Sequence, residues 1–318
     1  RLVTVSGRRY TAPTSFMTKP AAAPPSGERR WSLAPSPVVA RWELSRRLAT
    51  RRKELGIDVK SVTDALGFTR NYWSAVENDR TLIAEDKLRL LFDLFDFSDQ
   101  DQSELLTLRE DSRKRGWWDE YPALDAAYKR AYGMEAAATK LRAYGGHLVP
   151  GLLQVDAYAR AIISANPGFR PVDLETVVAA RRRRQKLLEV DPPDLQALLS
   201  EAVLYQHVAG PMVQREQLLS LRNFAANFAR SRSSVRVLPF TVDACAIVNS
   251  TTLLFLDFAS PHLPTTVWQE GVELFDDVDV EGDQGFRSLE IAWSEAIDLA
   301  ASPIESLDLI DRALAILP

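Results

Sequence analysis

Cysteine and histidine are nearly missing from this sequence: one Cys, at position 245, and three His, at 147, 207 and 262. A single thiol excludes an intrachain disulfide and fits a reducing compartment, so a cytoplasmic location is expected. The scattered histidines supply no clustered ligand set, and no metal centre is expected. No run of about 18 apolar residues occurs, which argues against a membrane-spanning helix. The first forty residues also lack the apolar block of a secretory signal. There is no phosphate-cradling glycine loop, dinucleotide fingerprint, G-x-S-x-G elbow or H-E-x-x-H pair, so no cofactor is expected.

What is present is unevenly distributed. Residues 1–80 carry 15 Lys/Arg against 7 Asp/Glu, whereas the remainder carries 24 against 36. A basic N-terminal block on an acidic body suits a protein of which one end meets phosphate. Residues 1–37, with Pro13, Pro20, Pro24, Pro25, Pro35 and Pro37 and little apolar periodicity, read as a flexible basic arm. Its Arg8, Arg9, Arg29 and Arg30 suit either a groove-tracking arm or a solvated tail.

Residues 38–115 are periodic throughout and predict a five-helix bundle. A first helix runs from about Val38 to Leu55 and buries Trp42, Leu44, Leu48 and Leu55. A second follows the N-cap Asp58, with Val62, Ala65 and Leu66 inward and Gly67 as terminator. Thr69 caps a third through about Glu77, burying Trp73 and Val76. Further helices carry Leu88, Leu91 and Leu94, then Leu105, Leu106 and Leu108. Two short helices about a glycine turn form the helix-turn-helix layout, in which the second helix enters the major groove. Arg70, Asn71, Tyr72 and Ser74 then face double-stranded DNA at base edges, while Arg51, Arg52 and Lys60 approach phosphates. A dimer on a symmetric operator is the corresponding assembly.

Residues 116–318 predict an α+β domain, so the fold class is α+β: an all-α helix-turn-helix bundle followed by a larger mixed domain. Helices are expected near 122–143, 154–165, 172–188, 212–230 and 284–316, the last interrupted near Pro303. Strands are expected at 235–240, 251–258 and 265–269. Trp117, Trp118, Tyr144, His147, Tyr158 and Glu201 suit either a ligand pocket or a core and domain interface. Glu201, or an acid from the stretch 270–283, is the general acid–base candidate, without a paired nucleophile. The stretch 270–283 starts like a calcium loop at Asp277, but Ser288 stands where the bidentate Glu belongs, so it reads as a solvated acidic loop. Arg181 to Arg184 point in successive directions around a helix and read as solvated or ion-paired.

Val38 to Arg115 resembles the Xre/Cro-type helix-turn-helix family, through Leu55-Gly56-Ile57 before the second helix and Ser74-Ala75-Val76-Glu77-Asn78 closing the third. The remainder is similar to actinobacterial regulators in which such a domain precedes a domain of unknown function, the Scr1-type antitoxin-like group. The residues that carry this are Arg115-Gly116-Trp117-Trp118, Tyr144, the run Leu148 to Gln154, Tyr158-Ala159-Arg160, Arg182, Arg184-Gln185, Asp191-Pro192-Pro193, Glu201 and Val235 to Phe240. The resemblance implies a cytoplasmic DNA-binding regulator whose second domain answers to a small partner protein or a small-molecule effector. Three positions depart from the pattern. Val59 replaces a usual Gln, Trp73 a small aliphatic residue, and Asp79 a glycine. The first removes a polar group from the DNA face, and the second threatens overpacking. Rival readings are a small-molecule binder or enzyme with a degenerate helix-turn-helix, and an antitoxin-like binder of a partner protein.

Overall fold

A computed structural model describes residues 36–189, 192–226, 233–270, 276–280 and 284–318. The basic arm of the sequence reading, residues 1–35 of it, lies outside the described residues.

The N-terminal bundle comprises α1 (Pro37–Glu54), α2 (Val59–Leu66), α3 (Arg70–Glu77), α4 (Glu85–Leu94) and α5 (Asp99–Ser112). Its punctuation is chemical. Asp58 accepts from the Ser61 N–H and Thr69 from the Tyr72 N–H, so both short helices start on a satisfied cap. Gly67 ends α2 at φ +64°, a left-handed conformation that lets the chain reverse within two residues. Val62, Leu66, Trp73, Val76, Leu88, Leu91, Phe95 and Leu105 meet in one core with Leu44 and Leu48 of α1. Ala65 and Leu55, expected inward, are exposed: α2 buries only the Val62/Leu66 stripe, and Leu55 lies beyond the last turn of α1.

The rest of the chain adds α6 (Ala126–Glu135), β1 (Ala138–Gly145), α7 (Asp156–Ala165), α8 (Leu174–Gln185), β2 (Asp194–Ser200), α9 (Ala202–Tyr205), α10 (Pro211–Ala226) and β3 (Ser234–Leu238). It continues through β4 (Thr252–Phe258), β5 (Thr266–Glu270), β6 (Asp276–Val280), α11 (Gln284–Leu299) and α12 (Pro303–Ala315). The described strands form one sheet in the order β3-β2-β1-β4-β5-β6. β1, β2 and β3 are parallel, which demands the crossovers supplied by α7–α8 and by α10. β4, β5 and β6 return as an antiparallel meander.

Three strands stand where none was expected. β1 occupies the end of the stretch read as one helix over 122–143, β2 lies in a stretch without a predicted strand, and β6 lies inside the stretch read as an acidic loop. β1 (ATKLRAYG) and β2 (DLQALLS) are rich in helix-favouring Ala, Leu, Lys, Arg and Gln; their strand state comes from central pairing and packing on both faces. The alternation is clear after the fact. Leu141, Ala143, Leu195, Ala197 and Leu199 face the larger core, while Tyr144 and Leu198 face the smaller one.

α1 joins the two parts. Its first half places Val39 and Trp42 in the core of the sheet domain, with Trp118, Tyr128 and Tyr132, and its second half places Leu44 and Leu48 in the helical core. Gly133 of α6 permits the close approach, because a Cβ there would lie 2.4 Å from Val38 Cγ2. Trp42 meets Phe258 edge to face at 5.5 Å, and Ser260 donates to Glu43 at 2.7 Å.

Candidate nucleic-acid interface

The outward face of α3 carries Arg70, Asn71, Ser74 and, at its C-cap, Asn78, all exposed. Trp73 and Val76 on the opposite face are fully buried. Trp73 stacks on Phe68 at 6.3 Å and meets Phe95 edge-on at 6.2 Å, so the helix is pinned by an aromatic cluster. The bulky residue in this slot is thus accommodated by its neighbours. Tyr72 is half-buried against Phe68, with ring centroids 4.7 Å apart. Ser74 accepts from Asn78 Nδ2 through both its carbonyl and its Oγ, leaving its O–H as a donor. Arg70 has no hydrogen-bond or ion-pair partner among the described residues. Its five guanidinium donors are therefore available to an external acceptor.

The basic residues of α1 behave differently. Arg51 donates to the carbonyls of Phe95 and Asp96, both at 2.8 Å, and so closes the C-terminal end of α4. Arg52 donates to Glu77 at 2.6 Å and to the Ile57 carbonyl at 2.7 Å; both side chains of the Arg52–Glu77 pair are largely buried. These two residues hold α1, α3 and α4 together, and their donors are already engaged. Lys60 is exposed and paired with Asp64 one turn later at 2.5 Å, which raises its pKa. Lys53 and Arg80 are exposed with no ion pair among the described residues.

Val59, expected as Gln from the resemblance to Xre/Cro-type domains, is the first residue of α2 and packs, half-buried, against the helical core. Asp79, in the glycine slot, sits at φ +55°, the left-handed region that makes glycine the usual occupant. Its carboxylate is buried between two guanidinium groups. Arg41 Nε of α1 donates to Oδ1 at 2.7 Å, and Arg130 NH1 of α6 donates to Oδ2 at 2.5 Å. Asp79 departs from the expected glycine, and its partners are remote in sequence, one of them 51 residues downstream.

The residues 43–106 contain ten Lys/Arg and thirteen Asp/Glu, so the helices themselves are not basic. Residues 1–35, with six Lys/Arg and one Glu, hold much of the N-terminal surplus.

The six pocket candidates are not brought together. Tyr144 faces the smaller core, and burial pushes its phenol up to about 12. Trp118 and Tyr158 are buried in the larger core on the other side of the sheet, with Trp117 packed against it. Tyr158 Oη accepts from the Val149 N–H at 3.3 Å, and His147 is exposed. Glu201 Oε2 accepts from the Phe240 N–H at 2.7 Å and so ties the end of β2 to the turn after β3. That engagement explains the buried carboxylate without a reaction. Of the arginine run, Arg184 pairs with the buried Glu135, Arg181 donates to Gln154 at 2.8 Å, and Arg182 pairs with Asp156 on the surface.

Against known families, residues 128–312, more than half of the chain, match the domain of unknown function DUF5753. The chain belongs to the DUF5753 family. Residues 43–106 match a helix-turn-helix domain. No curated protein and no solved structure matches. The DUF5753 match starts within α6 and takes in the whole sheet, while the helix-turn-helix match starts within α1. No helix among the described residues is long and apolar enough to cross a membrane.

Proposed function

We propose that this protein is a sequence-selective DNA-binding transcriptional regulator that lays α3 in the major groove. Arg70, Asn71 and Ser74 address base edges there, with Tyr72 at the rim. Lys53, Lys60 and Arg80 are the phosphate contacts, aided by the arginines of residues 1–37. The observation that carries the reading is the division of α3: an open polar face bearing an unengaged Arg and an Asn, on a helix anchored by Trp73 and Val76. Arg suits guanine and Asn suits adenine through paired hydrogen bonds, each adding about 1–3 kcal/mol of discrimination. An eight-residue helix reads one half-site, so two copies on a symmetric operator are the working assembly. The DUF5753 domain, seated on α1, biases DNA affinity in response to a small partner protein or an effector, in the cytoplasm.

Selection from a random duplex library, followed by binding titrations at several salt concentrations, tests this. A consensus should emerge, and Arg70→Ala and Asn71→Ala should each weaken the selected site roughly 5- to 150-fold relative to random DNA. Recovery of no preferred sequence, with no selectivity even at low salt, would overturn the reading.

A further inference from the structure

We infer that Asp79 is a positioning residue for α3: it clasps the end of that helix to α6, so that DNA selectivity depends on how the DUF5753 domain holds the bundle. The inference rests on the DNA-binding reading above.

Asp79 follows α3 by one residue beyond the cap and takes up a backbone conformation that costs an L-residue energy and glycine none. A glycine would serve the turn alone. The aspartate adds something a glycine lacks, a carboxylate whose two oxygens are taken by different elements. One belongs to Arg41 in α1 and the other to Arg130 in α6. The carboxylate is 5% exposed, whereas the Arg41 and Arg130 side chains are 37% and 32% exposed. The anion thus depends on both cations, while each cation still reaches water. α6 is itself seated on α1 through the bare face of Gly133 against Val38. The end of the reading helix, the shared helix and the first helix of the family domain therefore meet at one ionic contact. A shift of α6 must either break the Asp79–Arg130 bond or carry the end of α3 with it. That is the physical requirement for coupling between two sites: one element whose position both of them bias.

Asp79→Gly makes a clean test, because it removes the clasp and suits the left-handed backbone, and the released guanidiniums can hydrate. The full-length chain carrying Asp79→Gly, Arg130→Ala or both is compared with the unaltered protein in two measurements. The first is the ratio of affinities for the selected site and for random duplex. The second is hydrogen exchange at the backbone amides of residues 74–81. Each single variant should lower the selectivity ratio roughly tenfold and expose these amides. The double variant should do no more than Asp79→Gly alone, because the aspartate is the shared end of both contacts and Arg130 has nothing left to hold once it is gone. Wild-type selectivity and protection in Asp79→Gly, or additive losses in the double variant, would overturn the clasp. If the unaltered chain selects no sequence, the DNA-binding reading fails by itself. The exchange cycle then still decides the clasp: non-additive loss of protection supports it, and unchanged or additive protection overturns it.

Discussion

Trp73 is the largest side chain with no exposed surface in the helical core, and its indole N–H has no acceptor among the described residues. Its contribution is therefore packing, offset by one unsatisfied donor. Trp73→Ala should cost about 3–5 kcal/mol in urea unfolding, because a cavity remains among Phe68, Phe95 and their neighbours. Trp73→Phe should cost clearly less, since it removes the orphan donor along with part of the area; equal losses would contradict this account. A second residue-scale expectation concerns acid. Ser98 donates to Asp101 and holds it below its ordinary value of 3.8, with Arg47 adding to the effect. Gln100, then Arg47, does the same for Glu104 below 4.5. Depressed values mean that the unfolded chain takes up protons first. The stabilisation is thus complete above about pH 5 and lost as pH falls through the folded values. The combination Asp101→Asn with Glu104→Gln should flatten the acid limb of the stability curve between about pH 5 and 3, and an unchanged limb would show that these groups do not set it.

At the scale of elements, the reversal between α2 and α3 and the contact of α1 with α6 depend on glycine for different reasons. Gly67 has open space around its missing Cβ but a left-handed backbone, so Gly67→Ala should cost about 1–2 kcal/mol through strain alone. Gly133 has an ordinary backbone and a crowded face. Gly133→Ala should destabilise through the clash with Val38, and Val38→Ala should restore much of the loss, which a double-mutant cycle reads directly. The caps and the period of the bundle were legible in the sequence: Asp58, Gly67 and Thr69 punctuate α2 and α3 where local chemistry requires. β1 and β2 were not legible. Their residues favour helix locally, and only neighbours far along the chain turn them into central strands. The open polar face of α3 was legible in part. Arg70, Asn71 and Ser74 remain open, whereas Arg51 and Arg52 meet acceptors that a linear reading cannot place, the carbonyls at the end of α4 and the carboxylate of Glu77.

Across the whole molecule, α1 contributes to two hydrophobic cores that share no other helix of the bundle. Unfolding either core removes half of that helix's support, so the described residues should lose structure in one cooperative transition. Trp42→Ala, made in the core of the sheet domain, should lower the denaturation midpoint reported by amides of the helical core as well. Exchange rates in α2 and α3 that ignore the substitution would contradict this. Charge is divided at the same scale. With ten basic against thirteen acidic side chains in residues 43–106, the bundle offers little long-range attraction for phosphate, and residues 1–35 supply the surplus. Removing residues 1–35 should therefore lower affinity for all duplexes and reduce the salt slope, with little change in selectivity, as salt-dependent titrations can check.

By itself the sequence determined the helix-turn-helix, its caps, its buried stripe and the division into a bundle and a mixed domain. Each of these follows from interactions within a few residues or from the period of apolar side chains. Tertiary structure alone decided the central strands, the separation of the pocket candidates to opposite faces of the sheet, and which arginines are engaged by internal acceptors. It also decided the partners of Asp79. Pairing between strands and between charges depends on distance in space, and residues 41, 79 and 130 are adjacent only after α1, α3 and α6 have packed.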